Sequence, residues 1–223
     1  MSKPSAQFVA AMEDVLDVYQ RPYDPERPVV CLDEGGKELH GTPHGETPLQ
    51  PGQPARQDYE WERHGMANLF LWVEPLTGKR NVCVTQRHTA IDFAYQLRTL
   101  VDDAYPDVDQ IVLVTDNLNI HRTASLYEAF DPEEAHRIAR KIEWHYTPKH
   151  GSWLDIAEIE LSVLSRQCLS RRICDYETLQ SEVAAWLERR NKVGSPIKWQ
   201  FTTKDARIKL ARLYPIYDDS KSN

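Results

Sequence analysis

IVLVTDNLNIH (residues 111–121) and YTPKHGSWLDIAEIELSVLS (residues 146–165) are the most informative parts of the chain. The apolar run Ile111 to Val114 does not alternate with polar residues, which marks a strand buried on both faces. It ends at Val114, two residues before Asp116. Ser152 opens a helical pattern that carries Asp155, Glu158 and Glu160. An earlier run, PVVCLD (28–33), repeats the first arrangement and ends in Asp33. Acids on separate elements meet only through the fold. Crowded carboxylates repel, and one of them takes up a proton unless a cation offsets the charge. Hard oxygen donors suit Mg²⁺ or Mn²⁺. Two such ions about 3.5–4 Å apart clamp the attacking and leaving oxygens of a phosphoryl displacement.

Working outward, residues 5–20 place Phe8, Met12, Val15, Leu16 and Tyr19 on one helical face behind Ser5 as cap. A strand is expected over Val29–Leu32. Residues 35–58, poor in apolar residues and holding Pro43, Pro48, Pro51 and Pro54, read as a long loop. LFLWV (69–73) and NVCVT (81–85) form a hairpin through PLTGK. Thr89 and Asp92 have capping-box spacing before a helix that buries Phe93, Leu97, Leu100 and Val101. After Asp116 come helical segments near 122–141 interrupted at DPEE. IEWHY (142–146) is a strand with Ile142, Trp144 and Tyr146 on one face. Ser152 and Asp155 have capping-box spacing for a helix to about Cys168, and Asp175 caps another. This order predicts an α/β fold, a mixed sheet flanked by helices, with Asp33 and Asp116 at strand C-terminal ends, where ligand sites of open sheets cluster.

With 223 residues, 41% of them hydrophobic, the chain suits one domain. No apolar run approaches the roughly 20 residues that span a bilayer, and the N-terminus lacks the pattern of a signal peptide. Cys31, Cys83, Cys168 and Cys174 are scattered, so free thiols in a reducing cytoplasm are expected rather than disulfides or zinc. The net charge is −7 but uneven. Residues 1–136 carry 11 Lys/Arg against 23 Asp/Glu, and residues 137–212 carry 15 against 9. A basic C-terminal third is compatible with a phosphate backbone and equally with a solvated helical surface.

CLDE, LVTDNLNIH, YTPKHGSWLDIAEIELSVLSRQC and the C-terminal WQFTTKDARIKLARLYP resemble the mariner-type DDE superfamily endonucleases, most closely bacterial transposases of the insertion sequence 630 family. The resemblance runs from about residue 5 to the C-terminus. It implies an RNase H-like fold, a site for two Mg²⁺ or Mn²⁺ ions, and DNA strand cleavage followed by strand transfer. Asp33, Asp116 and Glu158 match its catalytic, metal-holding acids, with 41 residues between the last two. Glu160 is the rival for the third place. It lies about 200° round the helix from Glu158, so only one of them faces the metals. Asp155 stands where the family motif often has Asn, either as an outer-shell acid or as a helix N-terminal acid favourable to the dipole.

The resemblance also sets expected boundaries: a linker helix over 1–27, the catalytic domain over 28–194 and an aromatic-basic tail over 195–223. It implies transposon-end and target DNA as partners and a homodimer on DNA. The helix-turn-helix region that usually reads the ends is expected from a partner protein or a full-length transposase. Candidate DNA contacts are His121, Lys149, His150, Lys204 and Arg207. For His121 the alternative is a polar residue that satisfies the turn, and for Lys149 and His150 plain exposure. Trp199 and Phe201 either stack on DNA or pack inside. Two rival functions are a partner-binding regulator without activity and a nuclease for RNA–DNA hybrids.

Overall fold

The computed structural model describes residues 5–42 and 60–216. Helix α1 (Ala6–Tyr19) is capped by Ser5, whose side chain accepts from Phe8 N. Strands β1 (Val29–Gly41), β2 (Glu62–Val73) and β3 (Arg80–Thr85) follow. Helix α2 (Ala90–Thr99) opens on the expected Thr89–Asp92 capping box and continues through a π turn over Leu100–Ala104. Then come β4 (Ile111–Thr115), α3 (Ala124–Ala129), α4 (Pro132–Arg140) and β5 (Ile142–Tyr146). Helices α5 (Ile156–Leu164), α6 (Tyr176–Val193) and α7 (Thr203–Lys209) complete the described chain. Among the described residues no helix is long and apolar enough to cross a membrane.

The five strands form one mixed sheet in the order β3-β2-β1-β4-β5. β1, β2 and β3 are antiparallel neighbours, and β4 and β5 run parallel to β1. Side chains alternate between faces along each strand. Cys31, Leu69, Leu71, Val112 and Val114 therefore join one core with α1, α5 and α6. Val30, Leu32, Phe70, Trp72, Ile111 and Leu113 join another with α2, α3 and α4. Ile142 and Trp144 fall in the second core, as the one-face pattern of β5 requires, and Trp144 stacks on Tyr146.

Three expectations change. Residues 35–41 are strand, not loop: Gly35 pairs with Leu69 and Gly36 with Asn68, because β2 reaches back to Glu62 and supplies ladder partners. The remainder of the expected loop, 43–59, lies outside the described residues. Asp33 accordingly sits inside β1 rather than at its end. It does lie just past the last parallel pair, Cys31 with Val114. Finally, Ser152 does not cap α5. Residues Ser152–Leu154 form a 3₁₀ turn, and Asp155 is the cap.

The C-terminal aromatics pack inward. The Trp199 ring lies 5.1 Å from that of Tyr19, and Phe201 meets Trp153 edge-on at 5.7 Å. Thr203 Oγ1 donates to Asp17 Oδ1 at 2.6 Å, which ties α7 to α1.

Candidate active site

Cys31 and Val114 are opposite one another and both face the α1/α5/α6 layer. Two residues further on, the period of the strand returns to that same face, and there stand Asp33 and Asp116. Neighbouring strands are about 4.8 Å apart, so the parallel β1/β4 pair leads both acids to the same end of the sheet, and the charge of Asp116 acts on Asp33. α5 packs over β1 and β2 on this face. Its cap, Asp155, is 1% exposed, and its Oδ1 accepts from Ala157 N at 2.8 Å. Asp155 Oδ2 is buried and has no partner at hydrogen-bonding geometry. The start of α5 is fixed from the other side, where Tyr19 Oη donates to Leu154 O at 2.7 Å.

Asp116 is held by its own turn. Its Oδ1 accepts from Leu118 N at 3.0 Å and from His121 Nδ1 at 2.5 Å. His121 is fully buried, its ring 4.5 Å from that of Phe93. Its Nε2 lies 2.8 Å from Glu34 Oε2, a close ion pair without good hydrogen-bond alignment. Burial opposes charge on this imidazole, but Asp116 and Glu34 outweigh burial and raise its pKa to about 10. It is therefore an imidazolium at neutral pH. Burial also pushes Asp116 up, yet the hydrogen bond and charge of His121 hold it below the ordinary carboxylate range.

Asp33 shows the opposite balance. Burial and then the charge of Glu34 push it up to about 7, with Asp116 adding to the shift, despite the hydrogen bond from Glu34 N. Asp155 is pushed well above the usual range by burial first and by the charge of Asp33 next, with Asp116 contributing. Three acids thus lie within one electrostatic neighbourhood and disfavour one another's charge. The chemistry of this donor set, hard oxygens in excess of nearby cations, fits a divalent cation. Among the described residues no three or more His, Cys, Asp or Glu side chains are placed so that together they could hold a metal ion.

On α5 the structure separates the two glutamates. Glu160 is buried: Arg190 Nε donates to its Oε1 at 2.9 Å, Arg190 Nη2 to its Oε2 at 3.3 Å, and Arg80 Nε lies 3.1 Å away. The Arg80 side chain is fully buried and also donates to the carbonyls of Arg190 and Ser195. Glu160 is thus committed to joining α5, α6 and β3. Glu158 is exposed on the other side and makes no ion pair or side-chain hydrogen bond among the described residues.

Two expected DNA contacts are already paired with acids in this structure. His121 is buried between Asp116 and Glu34. Arg207 makes a two-pronged bond to Glu13, at 2.8 and 2.9 Å, that docks α7 on α1. Lys204 is exposed on α7. Lys149 and His150 are exposed, and His150 has φ 65°. Both line a groove of about 640 Å³ together with Asn117, Tyr146, Trp153 and Arg212. Sequence reasoning missed Glu34, Arg80 and Arg190. Glu34 was visible only as the neighbour of Asp33, and an Arg in a strand carries no sign that it will be buried.

The profile of a family described as DDE superfamily endonuclease matches residues 28–180. The chain belongs to this family. The matched span of this DDE endonuclease begins just before β1, ends within α6, and contains Asp33, Asp116, Asp155 and Glu158. The fold is similar to that of the Mos1 strand transfer complex (TM-score 0.59, 15% identity, 87% of this chain and 59% of that chain). It is also similar to the Mos1 mariner paired end complex with Mn (TM-score 0.55, 17% identity, 85% and 58%). A third similar structure is a pre-cleavage Mos1 transpososome (TM-score 0.56, 15% identity, 98% and 67%). The DDE endonuclease therefore spans under two thirds of the length of the first two of these chains. At such identities the likeness concerns the fold, here the RNase H-like mixed sheet. A comparison with curated protein sequences gives no match.

Proposed function

We propose that this DDE endonuclease is the catalytic domain of a transposase, which cleaves DNA phosphodiester bonds and transfers the freed strand to target DNA. The observation that carries this reading is that Asp33 and Asp116 each stand two residues past the last parallel pair of β1 and β4, Cys31 with Val114, within the span that matches the family. Asp33, Asp116 and Glu158 would hold Mg²⁺ or Mn²⁺, in the two-ion arrangement. When bound, such ions lower the pKa of the attacking water or hydroxyl and stabilise the leaving oxygen. His121 keeps Asp116 charged and oriented. The groove beside Asn117, with Lys149, His150 and Arg212, offers the strand a cationic path next to the acids. Lys204 extends the basic surface.

Transposon-end and target DNA are the proposed substrates. A homodimer forms on DNA, and a helix-turn-helix partner or a full-length transposase reads the ends. The paired-end, pre-cleavage and strand-transfer assemblies described for the Mos1 proteins support this choice over an RNA–DNA hybrid substrate.

The test is nicking of supercoiled plasmid in Mn²⁺ by the wild type, Asp33→Asn and Asp116→Asn, with circular dichroism to establish folding. Nicking by the wild type alone supports the assignment. Equal nicking by folded variants rejects it.

A further inference from the structure

We infer that Asp155 is a third inner carboxylate of the cation site, reaching it from the N-cap of α5 while Glu158 approaches from the exposed rim. The inference rests on the metal-dependent reading above and adds a ligand to it.

The two oxygens of Asp155 differ in their surroundings. Capping occupies only Oδ1, which accepts from Ala157 N at 2.8 Å. Oδ2 is buried within a residue 1% exposed and has no partner at hydrogen-bonding geometry, although the Glu158 N–H also favours the charged carboxylate. An unpaired buried carboxylate oxygen is costly, and native folds keep one only where something answers it. A simple cap does not need this arrangement. Ser, Thr and Asn cap equally well without a second charged oxygen, and other caps in this chain use such groups or are solvated. Ser5, Thr89 and Thr202 cap with a hydroxyl, while Asp131 and Asp175 stand at the surface.

The surroundings indicate what answers Oδ2. The negative charges that act on Asp155 are those of Asp33 and Asp116. Nearby are the Cys31 thiol and the Tyr19 hydroxyl, and the latter is already committed to Leu154 O. Cationic groups on the neighbouring elements are engaged already: His121 is paired with Asp116 and Glu34, and Arg80 and Arg190 with Glu160. Excess carboxylate oxygen, fixed by a sheet and a helix cap, suits a divalent ion that prefers oxygen.

The closing experiment measures Mn²⁺ binding by electron paramagnetic resonance and calorimetry, on the metal alone without DNA. It compares wild type, Asp155→Asn and Asp33→Asn. Asn keeps the cap and the volume, so the fold survives, and unfolding in EDTA verifies that. Asp155→Asn is expected to weaken Mn²⁺ binding by about tenfold or more, on the scale seen when a metal's supporting groups are removed. In EDTA its melting temperature should match or exceed that of the wild type. If Asp155→Asn binds Mn²⁺ like the wild type while Asp33→Asn does not, the inference is overturned and Asp155 is a buried cap only, with the metal-dependent reading intact. If the wild type itself binds no Mn²⁺, the inference and the metal-dependent reading fall together.

Discussion

Replacing Glu160 with glutamine is expected to destabilise the protein strongly, although Glu158, two residues earlier, tolerates the same change. Among the described residues Glu160 is the only acid in contact with Arg80, whose side chain is fully buried, and it also receives two bonds from Arg190. Glutamine preserves the volume and one acceptor oxygen but removes the charge. Arg80 then keeps neutral acceptors alone, the carbonyls of Arg190 and Ser195 and the amide oxygen of the new side chain. Breaking a buried ion pair by removing one partner costs about 3–5 kcal/mol, and the retained acceptor places Glu160→Gln near the lower end. With a urea m-value of about 2–3 kcal/mol/M, the unfolding midpoint should fall by about 1–1.5 M. Out of a typical total stability of about 5–15 kcal/mol, that loss is large. Glu158→Gln, on an exposed side chain without partners, should stay within about 0.5 kcal/mol of the wild type. Urea titration followed by tryptophan fluorescence reads both. A loss under about 1 kcal/mol for Glu160→Gln, or equal losses for the two variants, would refute the division between a structural and an exposed glutamate.

The other expectations concern activity, the C-terminal helix and acid stability. In the nicking assay, folded Glu158→Gln should lose at least about a hundredfold in rate, and unchanged nicking would remove Glu158 from the site. Arg207→Ala should loosen α7 from α1 with little effect on DNA affinity, because its guanidinium is already bound to Glu13. Faster hydrogen exchange confined to α7 and the facing turn of α1 would agree, whereas a large loss in DNA binding would contradict it. Glu143 resists charge through burial, but His145, Arg21 and Arg27 overcome this and depress its pKa from 4.5 to about 2. Its folded pKa lies below the unfolded value, so its contribution is present above about pH 4.5 and is lost as the pH falls through 2. It amounts to about 2–3 kcal/mol after allowance for partial exposure. Glu143→Gln should flatten stability over that pH window and lower it at pH 7. An acid limb identical to the wild type would exclude Glu143 as its source.

The sequence by itself determined the elements and their order. Apolar runs bounded by turn residues marked strands β1, β4 and β5, and cap spacing marked α2 and α6, because burial pattern and capping are local properties of the chain. The length of β1 was not legible. Gly35 and Gly36 carry the signature of a turn, and only the ladder with β2 makes them strand. Nor did helical periodicity separate Glu158 from Glu160, since both have apolar neighbours. Arg80 and Arg190, more than a hundred residues apart, settle where Glu160 goes. His121 and Arg207 look like free cations in the sequence, and the fold spends both on carboxylates. Asp155 reads as an ordinary cap until β1 and α5 close over it. Charge and hydrogen-bond partnership depend on groups distant in sequence, so packing alone decided which acids face solvent, which hold the fold together and which remain for chemistry.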